Sequence, residues 1–552
     1  MPFLSFNSGQ RERLLLAAAA SVLLLTSCRP SAVDSTTHDS SAAAKEIDQS
    51  PALSNSDAGP SQNESGRALA TRWCGNCHLA PEPGDLPRER WPFVIKWMGN
   101  YLGYPYEQDD IKKLIYPTLI ATKPFVTREE LAAIEDYYVS GAPENVEPAF
   151  PRDRPLPIAT LFKPESWPGY PQAVTVSLVA IDGPRRRLYV GTVDDSFLRI
   201  FSSDGNLLKR INCDQNQAVE VRPTSEGIDL ALIGDIGVDM GRGTVHKIFG
   251  VGDQPGPLSA SRIVTGFYRT SGAAWGDLDH DGNEDVVLAG FGDYADGALS
   301  WFAVKPGEEP IRRDLRVGSG ALDAVVDDVD HDGDLDVLSI VAQGHQEMLW
   351  FENDGKGHFQ SHQLWKERSI LGYNSFQWID FNGDGKKDLV VASGNNMEMP
   401  DPPIKPVHGV YVYLQTGPMQ FTKTYFLRMD GATKALAHDY DNDGDFDVAA
   451  ISAYPDWRAE SPVAFALFTN EGEGRFTPST IPPSFSGQPI TMDAGDLDGD
   501  GDLDLAIGGA SWKPLLPEPW LSKADERIKK APSVVVLWNK SSTSDSPSIS
   551  QE

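Results

Sequence analysis

The sequence is poor in positive charge. Its 552 residues include 48 Lys and Arg against 79 Asp and Glu, which gives a formal net charge of −31. A chain this acidic offers no basic surface for phosphate backbones, so a generic nucleic-acid-binding function is excluded. The length exceeds that of one typical domain, and we therefore expect more than one.

Long apolar runs are also scarce. The main one, Leu14 to Leu25, follows Arg11 and Arg13 and is too short to span a bilayer comfortably as a permanent helix. It ends in Leu-Thr-Ser-Cys28, which resembles the lipobox of bacterial lipoproteins. The resemblance implies a signal peptide over residues 1–28 and a lipid anchor on Cys28, while a plain signal peptide or an uncleaved anchor stays open. In each case we expect export to the periplasmic or cell-surface face of a bacterial membrane.

Residues 29–62 lack apolar periodicity and are rich in Ser, Ala, Asp and Asn. This composition predicts a disordered tether, and the polar residues 542–552 predict a disordered tail.

Cysteine is rare, with four in the chain, and two of them lie in Trp73-Cys-Gly-Asn-Cys-His78. In C-x-x-C-H, the thiols of Cys74 and Cys77 can add to haem vinyl groups while His78 reaches the iron. The alternatives are a thioredoxin-like motif, a structural zinc site and a simple disulfide. The residues before the motif predict a short helix, no second Cys or His pair follows before Phe150, and a disulfide leaves His78 without a role. One covalent haem c is therefore favoured, and Cys213 is predicted to be a buried thiol.

Residues 63–148 are predicted to form a small all-α domain, with helices over 88–102 and 127–141. Its haem motif and closing helix resemble a class I cytochrome c. Met98 is favoured as the sixth iron ligand because no other Met or His lies between His78 and Phe150. It lies on a helix, however, whereas the family places this Met in a loop. A five-coordinate haem, or a ligand from Lys96 or the second domain, therefore stays open.

A nine-residue motif, D-x-[DN]-x-D-G-x-x-D, occurs five times in the sequence. Carboxylates at alternate positions converge on one cation when the backbone curls, and the Gly at position six permits that bend. Oxygen ligands without His or Cys favour calcium, with up to five ions. Position twelve lacks the Glu of an EF-hand in every copy. The predicted ligands are Asp277, Asp279, Asp281, Asp285, Asp328, Asp330, Asp332, Asp336, Asp380, Asn382, Asp384, Asp388, Asp439, Asp441, Asp443, Asp447, Asp496, Asp498, Asp500 and Asp504.

The first aspartates of these loops are 51, 52, 59 and 57 residues apart, and apolar strand-like runs follow each loop. Periods near 50 are typical of propeller blades. Two earlier strand-rich units lack the loop, so residues 155–541 are predicted to form an all-β, seven-bladed propeller. The loops resemble FG-GAP or VCBS repeats, like those of integrin α-subunits. Residues 158–162 are expected to pair into blade seven, close the ring and hold the haem domain beside that seam.

Long insertions follow the second strands of the last three blades, over residues 395–408, 454–461 and 511–531. They lie on the face opposite the Asp loops. This rim either binds a ligand or partner, or merely caps the propeller. Its large apolar residues are Met397, Met399, Trp457, Trp512 and Trp520.

Together these features predict a multidomain protein: an exported, membrane-tethered monohaem cytochrome whose calcium-binding propeller docks a partner or a polymer. A redox protein or a small molecule is expected to donate the electrons. Two alternatives are a propeller dehydrogenase that passes substrate electrons to the haem, and an adhesion or glycan-binding lipoprotein. No cluster of His, Arg and acidic residues marks an active centre, so no catalytic residue is assigned.

Overall fold

The computed structural model describes residues 65–106, 120–170, 174–234, 241–252, 256–293, 296–396 and 399–541. The predictions for residues 1–28, 29–62 and 542–552, including the lipid on Cys28, lie outside these ranges, as does Met397. Within the described part of the chain, no helix is both long enough and apolar enough to cross a membrane.

Among the described residues, three α-helices precede the strands, close to where the sequence predicts them: α1 (Gly66–Trp73), α2 (Trp91–Tyr101) and α3 (Arg128–Gly141). Helix α3 begins with a capping box, in which the Thr127 hydroxyl accepts from the Glu130 amide and the Glu130 carboxylate accepts from the Thr127 amide. We call these helices and their connections the helical domain.

Helices α1 and α3 cross at close range. A Cβ atom on Gly66 would lie 2.4 Å from the Ala133 carbonyl oxygen, so only glycine allows this approach. The core beside the crossing contains Trp91 stacked on Tyr138, with ring centroids 4.1 Å apart.

In the part of the chain that the structure describes, twenty-eight strands follow and form seven antiparallel four-stranded sheets. The first four sheets in the chain consist of β2 (Val176–Asp182), β3 (Arg187–Thr192), β4 (Phe197–Ser202) and β5 (Leu207–Asn212); β6 (Ala218–Pro223), β7 (Gly227–Leu232), β8 (Gly243–Phe249) and β9 (Ser259–Phe267); β10 (Thr270–Gly276), β11 (Asp285–Asp293), β12 (Asp296–Ala303) and β13 (Ile311–Val317); and β14 (Ala321–Asp327), β15 (Asp336–Gln343), β16 (His345–Asn353) and β17 (Phe359–Glu367). The last three consist of β18 (Tyr373–Ile379), β19 (Asp388–Ser393), β20 (Gly409–Gly417) and β21 (Gln420–Arg428); β22 (Ala432–His438), β23 (Asp447–Ser452), β24 (Phe465–Asn470) and β25 (Phe476–Ser479); and β26 (Pro489–Gly495), β27 (Asp504–Gly509), β28 (Val534–Asn539) and β1 (Phe162–Ser166). Helix α4 (Trp520–Lys530) lies between β27 and β28.

The sheets form a closed ring. The first strand of each sheet packs against the first strand of the next, and β26 of the last sheet packs against β2 of the first. The second strands are apolar and fully buried, as β15 and β23 show, whereas outer strands such as β13 are largely exposed. The fold is therefore a seven-bladed β-propeller, as predicted.

Blade seven closes with an N-terminal strand, but not with the predicted residues. The paired strand is Phe162–Ser166, which lies antiparallel to β28. Ile158 forms an isolated bridge to Thr480 in blade six, and Ala159 packs in the core between blades six and seven. The prediction was four residues too early because it chose the apolar run, whereas the outermost strand of a blade faces solvent and tolerates polar residues and proline.

The helical domain lies away from the seam. It contacts blades four and five: Ile370 and Met399 pack against its core, and Arg368 forms an ion pair with Asp85. The expected position beside the seam was wrong because the linker runs across neighbouring blades. Its Ala149 amide donates to Asp430, and its Arg152 pairs with Asp456.

Candidate functional site

Every Asp loop curls in the same way. The position-six glycine has a positive φ in all five copies, between 83° and 98° for Gly282, Gly333, Gly385, Gly444 and Gly501. In the loop that starts at Asp439, the first carboxylate accepts from the amides of Asp443 and Gly444. The position-five carboxylate in turn accepts from the amide two residues later, as Asp443 does from Asp445. These bonds fold the loop around its own carboxylates.

Four loops bring three carboxylates together, with one oxygen of each within 4.8 Å of the others. The groups are Asp277, Asp279 and Asp285; Asp328, Asp330 and Asp332; Asp439, Asp441 and Asp443; and Asp496, Asp498 and Asp500. The third loop has the same curl, with Asn382 in place of one Asp, and the Asp384 amide donates to both Asp380 and Asn382.

These groups fit a divalent cation. Oδ1 of Asp279 and Oδ1 of Asp328 are buried and have no hydrogen-bond partner among the described residues. Burial and the adjacent Asp443 charge raise the pKa of Asp441, and burial with Asp500 does the same for Asp498. Burial and mutual repulsion make it unfavourable to hold these carboxylates together without a cation. Hard oxygen atoms in such a group are the donor set that calcium prefers.

The position-nine aspartates have a different environment. Asp388 accepts from the Phe381 amide in its own loop at 2.9 Å and from the Gln415 amide in β20 at 2.7 Å. Asp285, Asp447 and Asp504 repeat this pair of bonds. Asp336 accepts from Asn353. We call this position the clasp, because it ties each loop to the third strand of its blade.

The C-x-x-C-H motif lies at the end of α1. Cys74 to Asn76 continue the helix as one 3-10 turn, and the Cys74 amide donates to the Ala70 carbonyl. His78 is 7% exposed, and burial lowers its pKa, so the ring is neutral at pH 7. Its Nδ1 lies 3.0 Å from the Leu79 carbonyl oxygen, which can only accept a hydrogen bond. Nδ1 therefore carries the proton, and Nε2 presents a lone pair.

The surroundings of the motif fit a haem group in part. The buried indole nitrogen of Trp73 has no partner among the described residues, so it can donate to a polar group bound beside it. Burial raises the pKa of Cys74 to about 11. The Cys77 sulfur is in a disulfide bond. Haem attachment would require both sulfurs as free thiols.

Met98 is partly buried against the core of the helical domain. Lys96, on the same helix, is partly buried as well. Cys213 is a buried free thiol, as predicted.

The insertion rim is largely packed. Met399 is buried in the core of the helical domain, and Trp457 packs with Leu516, Ala524 and Ile528 of the third insertion. A pocket of about 70 Å³ remains between the insertions, lined by Trp457, Trp512 and neighbouring residues. Pockets for drug-sized ligands are about 300–1,000 Å³, so this one has room for a side chain but not for a ligand of that size.

Two other features carry no signal in the sequence. Glu220, Asp323, Lys434 and Asp493 lie on the innermost strands of four blades. Burial, then the Asp323 charge, raises the pKa of Glu220 to about 8, whereas Lys434 opposes this shift. A cavity of about 580 Å³ lies between blades one and two, and Arg210, Arg242 and Arg262 are among its lining residues.

Comparisons with known proteins agree with this geometry. Residues 328–391, 380–450 and 439–507 each match a family model described as an FG-GAP-like repeat. The propeller contains FG-GAP-like repeats. Each match runs from one Asp loop into the strand that follows the next Asp loop.

A search of curated proteins finds no significant match. Among solved structures, the Neurospora crassa Pan2 WD40 domain is similar, with 11% sequence identity and a TM-score of 0.42 over 70% of this chain and 97% of that one.

Proposed function

We propose that this protein is an exported, membrane-tethered monohaem c-type cytochrome, and that its propeller binds calcium and docks a redox partner or a polymer. The observation that carries the proposal is the state of His78. It is a buried, neutral imidazole whose Nδ1 proton is donated to a backbone carbonyl, which leaves Nε2 for a metal. An outer hydrogen bond of this kind fixes the tautomer of metal-binding histidines.

The chain's own residues have distinct roles in this proposal. Cys74 and Cys77, three residues apart, would hold the porphyrin through thioether bonds, and His78 would bind the iron. Haem supplies a one-electron couple between ferric and ferrous iron. The aromatic and aliphatic core of the helical domain excludes water from that side of the motif.

The propeller has a structural and a docking role. Calcium in the Asp loops would offset their clustered charge and stiffen one face of the ring. The opposite face carries the helical domain, which places the C-x-x-C-H motif on the same side of the ring as the insertion rim. A partner bound at the rim would therefore approach the redox group. The lipid on Cys28 would keep both at the membrane surface.

The test is a pyridine haemochrome spectrum of the full chain, produced with a c-type haem maturation system. We expect an α-band typical of two thioether links and haem that stays with the denatured polypeptide. Replacing both Cys74 and Cys77 by Ser should abolish this covalent retention, whereas Cys213→Ser should leave it unchanged. Absence of covalent haem in the wild-type chain would overturn the proposal.

Ligand binding at the rim is the second candidate function, and the aromatic pocket between the insertions favours it. The ligand could be a substrate that is oxidised there or a partner that only docks. Titration of the ferric protein with reduced substrates separates these two cases. Stoichiometric haem reduction with turnover would indicate a dehydrogenase, whereas affinity for a protein or glycan without turnover would indicate docking.

A further inference from the structure

The cavity of about 580 Å³ between blades one and two has a wall on each blade. On blade two, His246 of β8 is paired with Leu230 of β7 on one side and with Arg262 of β9 on the other. Side chains at paired positions point to the same side of a sheet, so these three residues face the cavity together. On blade one, the wall is the outermost strand, β5, which contributes Arg210.

Blade two has a polar residue where most other blades have an apolar one. His246 pairs with the second strand at a position that can be matched between blades, because every first strand has a bulge at the same place. The residues at this position in blades four to seven pack in the cores between blades and are Leu349, Tyr411, Ala466 and Val535. The His246 ring instead contacts the Thr244 hydroxyl at 3.0 Å. Protein interiors are close-packed, so a gap of this size between two blades is a distinct feature of the fold.

The cavity is lined by positive charge, although the chain has a net charge of −31. Its described lining residues include the cations Arg210, Arg242 and Arg262 and one acidic residue, Asp214. Arg210 lies 3.6 Å from Asp195. Arg242 and Arg262 neither form an ion pair with a described residue nor donate a side-chain hydrogen bond to one. A guanidinium group presents a planar set of donors that matches an oxyanion, so these two arginines are available to an anionic ligand.

The lining also has an apolar part. Leu230, Leu232 and Ile248 are buried in the wall, and Leu258 is 45% exposed. An inorganic ion would leave this apolar surface in water, whereas an anion with a hydrocarbon body would cover it. The volume lies within the range of about 300–1,000 Å³ that is typical of small-molecule sites.

We propose that this cavity binds a small organic anion, whose carboxylate, sulfate or phosphate group is held by Arg242 and Arg262 and whose apolar body lies on Ile248 and Leu258. The proposal does not depend on haem at the C-x-x-C-H motif or on calcium in the Asp loops. It gives a binding function to blades one and two, the two blades whose sequences lack an Asp loop.

Isothermal titration calorimetry of the full chain with octanoate, octyl sulfate and octyl phosphate tests the site. These probes share an apolar chain and differ in the head group, so the tightest binder identifies the preferred oxyanion. We expect one site per chain, with a Kd below about 1 mM for at least one probe. The neutral 1-octanol lacks the charge and inorganic phosphate lacks the chain, and each should bind about 10-fold or more weakly than that probe.

Arg262→Gln and Lys247→Gln are a matched pair of variants. Both remove one positive charge from blade two, but Lys247 follows His246 on β8 and therefore points to the opposite side of the sheet. Arg262→Gln and Arg242→Gln should each weaken binding about 10-fold or more. In 0.15 M salt, Lys247→Gln should change the Kd by less than about twofold because its charge is screened from the cavity. Ala260→Trp keeps every charge and fills part of the cavity, and it should abolish binding.

Two results would overturn the proposal. One is that none of the three anions binds with a Kd below about 1 mM. The other is equal weakening in Arg262→Gln and Lys247→Gln, since the anion would then respond only to the overall charge of blade two. A chain that holds covalent haem but binds no anion would reject this proposal alone, and a chain that binds the anion without haem would reject only the cytochrome function.

Discussion

Arg368 of the propeller forms an ion pair with Asp85 of the helical domain, and the Asp85 side chain is 5% exposed. The Asp85 carboxylate also accepts from the Glu82 amide at 2.7 Å. Burial raises the pKa of Asp85, and Arg368 opposes the shift. This buried pair fixes the orientation of the domain that carries C-x-x-C-H relative to blades four and five.

Arg368→Ala should destabilise the docked state at pH 7 by about 3–5 kcal/mol, because it leaves the buried Asp85 charge unpaired. The loss should shrink as the pH falls, since protonated Asp85 needs no cation. Adding Asp85→Asn to this variant should recover part of the loss. Urea unfolding followed by tryptophan fluorescence measures these changes.

Glu144 provides the control for that experiment. It lies 3.8 Å from Arg88, and its side chain is 83% exposed. Glu144→Ala removes this ion pair but leaves the bonds that Arg88 donates to the Val139 and Ala142 carbonyls, and it should cost about 0–1 kcal/mol. Equal losses for Glu144→Ala and Arg368→Ala would show that the interdomain pair has no special role in docking.

The clasp residues should stabilise the blades even without metal. Asp388→Ala removes both carboxylate oxygens, which leaves the amides of Phe381 and Gln415 without hydrogen-bond acceptors. We expect a loss of about 3 kcal/mol that persists in EDTA. In EDTA, Asp384→Ala in the exposed part of the same loop should change the unfolding free energy by only about 0.5 kcal/mol. A loss for Asp388→Ala that disappears in EDTA would assign this carboxylate to the metal alone.

The repeats could be predicted because each one is marked by features of its own short stretch of sequence. A positive-φ glycine, alternating carboxylates and a following apolar strand are short-range features, and they located five blades directly. The position of the helical domain could not be predicted in this way. It depends on Arg152, Asp430 and Asp456, which direct the linker across blades that are distant in sequence.

The strand that closes the ring shows the limit of apolar patterns. Residues 158–162 are more apolar than Phe162–Ser166, and yet the second segment forms the strand. An outermost strand is bound by its backbone hydrogen bonds and has little apolar surface to bury, so its sequence carries a weak signal.

Stability should fall as the pH rises because of Glu220. Burial raises its pKa from 4.5 to about 8, so the folded state holds a proton that the unfolded state has already lost between these values. The free energy of unfolding should therefore decrease by up to about 1.4 kcal/mol per pH unit across this window from this group alone. Glu220→Gln should remove that part of the slope in urea titrations.

Glu226 is the control for the pH experiment because it is an exposed carboxyl of the same blade. Glu226→Gln should leave the pH slope unchanged. If Glu220→Gln and the wild type lose stability in parallel between pH 5 and 8, the innermost strands do not hold a proton at Glu220.

Each Asp loop should bind one calcium ion, and in the loop that starts at Asp439 the carboxylates at positions one, three and five should hold it. Asp441→Asn and Asp445→Asn remove the same charge from the same loop, but only Asp441 belongs to its carboxylate group, and Asp445 is exposed. Equilibrium dialysis with elemental analysis should find one calcium ion fewer, or a calcium affinity weakened about 10-fold or more, in Asp441→Asn. Asp445→Asn should bind as the wild type does. Equal weakening in both variants would mean that the loops attract calcium only through their overall charge, and raising the salt concentration would then abolish binding in all three proteins.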